Sequence, residues 1–129
     1  MKQLNILISL AAAIGLAASS TYAHEGESHE GQAKETKEVT VSGEIIDMVC
    51  NIDHGAVGAK HAECTQTCIK MGLPVGIKGD DGKTYLLIGE HKPINSELVP
   101  LAAKTITVKG KLVSRDGFNM IQNAEIVKH

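Results

Sequence analysis

Four side chains of this sequence could do metal or redox chemistry by their type and spacing. His61, Cys64 and Cys68 lie within KHAECTQTCIKMGLP, residues 60–74, and Cys50 stands a short way upstream. Thiolates and imidazoles are the ligands of tetrahedral transition-metal sites, at roughly 2.3 Å for sulfur and roughly 2.0 Å for nitrogen. On a helix turning about 100° per residue, His61, Cys64, Cys68 and Met71 share one narrow stripe. The 13 residues between Cys50 and Cys64 are enough to fold that helix back over the end of a preceding strand, where Cys50 would sit. The expectation is a Cys3His site built from Cys50, His61, Cys64 and Cys68. His54, in the intervening DHG, is the alternative imidazole, either replacing His61 or hydrogen-bonding the site from behind.

Closed Cys3His ligation is the composition of structural zinc, so zinc is the first expectation. Copper(I) is next, because soft thiolates with Met48 and Met71 nearby suit it. Two other readings stay open. A disulfide from Cys50 to either helix cysteine would contribute about 3 kcal/mol and leave one thiol over, whereas a Cys64–Cys68 bridge would be strained and labile. The protein would then be a thiol–disulfide redox factor, or a cytochrome or oxidase assembly factor, using Cys50, Cys64 and Cys68 with a periplasmic or membrane-bound redox protein as partner. Alternatively the stripe is simply the buried face of an amphipathic helix, since cysteine and methionine are ordinary core residues. That account leaves a buried His61 needing partners for both ring nitrogens.

Composition narrows the function further. Residues 1–23 have a basic start at Lys2, an apolar run from Leu4 to Ala18 and small residues at Thr21 and Ala23, the pattern of a signal peptide cleaved after Ala23. The expected location is the periplasm or the exterior, without membrane insertion. Cleavage removes one base, Lys2, and leaves 12 basic against 15 acidic side chains, a charge of about −3. An acidic chain whose aromatic residues are only Tyr22, Tyr85 and Phe118 offers nucleic acid neither counter-charge nor a stacking surface. No GxSxG, HExxH or phosphate-cradling glycine loop occurs, so no enzyme activity is expected, and the absence of CxxCH argues against covalent haem.

The elements that must position the cysteines follow from periodicity. Residues 24–37, with HEG occurring twice, read as a disordered polar leader whose His24 and amino group could chelate copper weakly. A single domain, expected as a monomer, then runs over 38–129. EVTVSGEIIDMVC alternates as a half-buried strand, with Gly43 marking a bend or bulge. NIDHGAVG reads as a loop, and a helix is expected over Ala59–Met71, ended by Gly72 and Pro74. PVGIK and KTYLLIG flank an Asp81-Gly82 turn. A short helix capped at Asn95 or Ser96 and distorted near Pro100 precedes two strands, TITVKGKLVS and FNMIQNAEIV, with a glycine at 110. The fold expected is mainly β with helices: a five-stranded, OB-like Greek-key barrel, with a metal- or thiol-bearing helix inserted between strands 1 and 2.

The run DMVCNIDHGAVGAKHAECTQTCIKMGLPVGI, then DDGKTYLLIG and a final GKLVSRDGFNMIQNAEIV, resembles a group of small exported bacterial proteins. These share a cysteine, then HxxCxxxCxxxGxP, then an OB-like ending, and the resemblance covers about residues 39–127. It implies export and architecture rather than an activity, and places the group's pattern on Cys50, His61, Cys64, Cys68, Gly72 and Pro74.

Overall fold

A computed structural model describes residues 37–127. The signal peptide and most of the polar leader read from the sequence lie outside the described residues. Five strands form a closed barrel: β1 (Lys37–Asp47), β2 (Val75–Gly79), β3 (Thr84–Leu87), β4 (Thr105–Arg115) and β5 (Phe118–Ile126). Around the barrel they run β1-β2-β3-β5-β4, and β4 closes back on β1. All pairs are antiparallel except β3 with β5. This is the OB-like Greek-key barrel expected from the order of elements.

One strand serves two neighbours because β1 passes from β4 to β2 at Gly43. That residue pairs with Ile106 of β4 on one side and Gly79 of β2 on the other. A Cβ there would collide with the Lys78 carbonyl oxygen, so any side chain would force β2 away. Alternation along β1 delivers Val39, Val41 and Ile45 to the interior. The core they join is made of Ile45, Val75, Ile77, Tyr85, Leu87, Val108 and Ile121 from the strands, with Ile69, Ile94 and Leu98 from the connections.

Five helical segments fill the connections: α1 (Met48–His54), α2 (Ala62–Lys70), the single turn α3 (Asn95–Leu98), and 3-10 turns at Ala59–His61 and Val99–Leu101. Between strands 1 and 2 there are thus two α-helices, where the sequence reading had a loop and then one helix. The missed helix has ordinary signals at both ends. Asp47 caps its start, its Oδ2 accepting from the Cys50 amide at 2.8 Å, and Gly55 ends it in the left-handed region at φ 69°. The expected cap at Asn95 or Ser96 is also corrected. Ile94 holds that position, and the Asn95 amide donates instead to the carbonyls of Ile69 at 3.0 Å and Leu73 at 2.7 Å. Asn95 therefore satisfies the open end of α2, and that bond ties α2 to the far connection.

Parity explains where α1 sits. Ile46 points opposite to Ile45, out of the barrel, yet is 1 % exposed. Its pairing partner on β2 is Gly76, and a Cβ on Gly76 would collide with the Met48 sulfur. The bare backbone of Gly76 leaves room for Met48 to lie over the outer wall. Ile46, Met48 and Ala56 are buried there, apart from the main core. Among the described residues, no helix is long and apolar enough to cross a membrane.

Candidate metal centre

Each cysteine comes from the first or second turn of a short helix. Cys50 is the third residue of α1, Cys64 the third of α2, and Cys68 follows one turn later. Their three sulfurs lie within 4.8 Å of one another, and all three are free thiols. Cys50 enters from α1, where a strand end was expected, so two helices in place of one build the site.

The stripe does not form the buried face of α2. Thr65 and Ile69 are its buried residues, whereas Cys68 is half-buried and Cys64 is exposed. The cysteines sit one position before the buried pair, about 100° around the helix. Ile69 plugs the barrel while the thiols turn aside toward α1. Met71 lies past the end of the helix and is 79 % exposed, so it does not continue the stripe. The packing-only account of these sulfurs therefore fails.

His61 is likewise not on the regular helix. It caps α2 with φ −103° and ψ 2°, after a 3-10 turn, so the projection from Cys64 does not carry back to it. Neither His61 nor His54 joins the donor group that lies within 4.8 Å. The two rings instead lie near each other, with centroids 6.0 Å apart and planes tilted by 51°. The segment between them is held to the barrel by Glu44, whose Oε1 accepts from the Gly58 amide at 2.6 Å.

Asp47 is the site residue that sequence reasoning set aside as a turn residue. It is 1 % exposed, and while Oδ2 caps α1, Oδ1 is buried with no hydrogen-bond partner. The cap signal before MVC could have found it. The Asp47 carboxylate beside Cys50 is the largest cause pushing that thiol up to about 12, with burial second. Burial is also the chief cause raising Cys68. Three sulfurs and an underused carboxylate oxygen make a place where a lone thiolate is costly and a cation is favoured.

Comparison with protein families, with curated proteins and with solved structures returned no match. The class defined by fold and site is thus a closed OB-like barrel carrying three convergent thiols that could hold a metal ion.

Proposed function

We propose that this chain is an exported, non-catalytic metal-binding protein that holds one thiophilic ion on Cys50, Cys64 and Cys68. The observation that carries this reading is the convergence of the three sulfurs within 4.8 Å. Packing gives no reason for it, because the barrel core closes without any cysteine. A staple for a weak core is therefore not needed. Three soft donors with an exposed member suit copper(I) handling better than a closed structural zinc, which requires four ligands. Zinc is the second reading, supported by the proximity of His61 to Cys64 in the chain, and it requires that ring to turn inward as a fourth ligand.

The test is native mass spectrometry with elemental analysis on protein prepared from the exported fraction under reducing, chelator-free conditions. One ion per chain, lost in Cys50→Ser, Cys64→Ser and Cys68→Ser, is the expected result. Three intact thiols that take up neither copper(I) nor Zn2+ under any loading would overturn it.

The same convergence supports a redox alternative. Two of the thiols would close a disulfide and pass two electrons and two protons to a partner disulfide, which opens to two thiols. A mass two hydrogens short and reversible by reductant, in place of a bound ion, would favour that chemistry.

A further inference from the structure

We infer that His54 and His61 form a second metal site, distinct from the three thiols, that binds a borderline divalent cation such as Zn2+, Ni2+ or Cu2+ through one nitrogen of each ring. Chain direction places it. On α1, His54 follows Cys50 by four residues and lies on the same face. On the other segment, His61 precedes Cys64 by three. His54 opposes His61, and Cys50 opposes Cys64 and Cys68, so the two segments run in opposite senses and the imidazoles form a layer about one helical turn from the sulfurs.

The distances fit a shared ion. A metal held at roughly 2.0–2.1 Å from a ring nitrogen sits about 3 Å from that ring's centre, so two rings with centres about 5–6 Å apart can share it. The observed separation is 6.0 Å. The tilt of 51° lies between the stacked and edge-to-face arrangements that aromatic pairs prefer.

A second observation points to ligation. His54 Nδ1 lies 3.2 Å from the Asp53 carboxylate. A carboxylate on one imidazole nitrogen fixes the tautomer and turns the other nitrogen, with its lone pair, outward, which is the arrangement found behind metal-binding histidines. His61 stands at a helix start without using its ring as a cap. His54 is half exposed, so water can complete the coordination of an ion placed there.

The test removes the thiols and watches the rings. In the full chain carrying Cys50→Ser, Cys64→Ser and Cys68→Ser together, imidazole nitrogen resonances are followed by NMR during Zn2+ titration. Those of His54 and His61 should move together and saturate at one equivalent, and H54Q or H61Q should each weaken binding at least tenfold. A response from only one of the two rings, or from neither while His24 or His29 responds, overturns the inference. So does a wild-type chain whose single Zn2+ shifts His61 and leaves His54 unmoved. If the triple variant does not fold, wild-type protein with its thiols blocked by reversible methylthiolation gives the same readout. With the thiols absent or blocked, the outcome is independent of whether they bind metal.

Discussion

The Asp47 carboxylate accepts from the backbone amide of Cys50 at 2.8 Å, and the same carboxylate raises the pKa of that residue's thiol. One side chain thus starts the helix that presents the first sulfur and sets the electrostatic environment of that sulfur. Together with burial it pushes Cys50 up to about 12. Asp47→Asn keeps a helix cap and removes the charge. Cys50 in D47N should alkylate about tenfold faster or more at pH 8, since each pKa unit is a factor of about ten in thiolate fraction. Mass spectrometry of differentially alkylated peptides measures it, and an unchanged rate would show that the carboxylate does not govern the thiol.

Metal uptake should release protons. Each of the three thiols that is protonated in the free protein and ionised when ligated multiplies affinity by about ten per pH unit. Affinity should therefore rise with pH below about 9, by up to about a thousandfold per unit if all three ligate, and fall as pH drops. Competition titrations against a chelator of known pH dependence at pH 6, 7 and 8 give the slope, and a slope near zero excludes thiolate ligation.

Metal affinity and stability should separate. Each single Cys→Ser change should weaken binding at least a hundredfold, yet alter unfolding free energy by no more than about 1 kcal/mol, because none of the sulfurs belongs to the core. Ile69→Ala, at a fully buried core position on α2, should cost about 2–5 kcal/mol. Denaturant unfolding of the metal-free variants compares the two directly.

Asn95→Ala tests the link between the far connection and the site. It leaves the Ile69 and Leu73 carbonyls without their side-chain donor and should cost about 1–3 kcal/mol. Loss of that tether should also weaken metal binding, read by the same chelator competition, because α2 carries two of the three sulfurs.

At the opposite hairpin, the Tyr85 hydroxyl donates to Asp81 Oδ2 at 2.6 Å. Burial, reinforced by this carboxylate, pushes Tyr85 up to about 12. A folded-state pKa above the unfolded value of about 10 means that stability is fully present below pH 10 and is lost as pH rises through 12. Tyr85→Phe should lower stability by about 1 kcal/mol at neutral pH and flatten that alkaline loss, as followed by circular dichroism.

Much of the barrel was legible because strands write themselves in alternation. Val39, Val41 and Ile45 mark the inward face of β1, and the glycines at 43 and 110 mark places where strand pairing changes. Gly110 falls where the β4–β5 register shifts. The convergence of Cys50 with Cys64 and Cys68 was also anticipated, since spacing and loop length allowed it. Helix α1 was missed because seven residues give too little periodicity to outweigh a sequence rich in turn formers, although its caps at Asp47 and Gly55 were in plain sight.

By itself the chain determined which residues could carry chemistry and which faces of the strands turn inward, because both depend on residue type and near-neighbour spacing. Only the tertiary structure decided how the donors are grouped. An offset in sequence becomes an angle only where the backbone is regular, and at His61 the helix has not yet begun. Folding therefore left the imidazole outside the group of three sulfurs, set its ring 6.0 Å from that of His54, and buried an unpaired oxygen of Asp47.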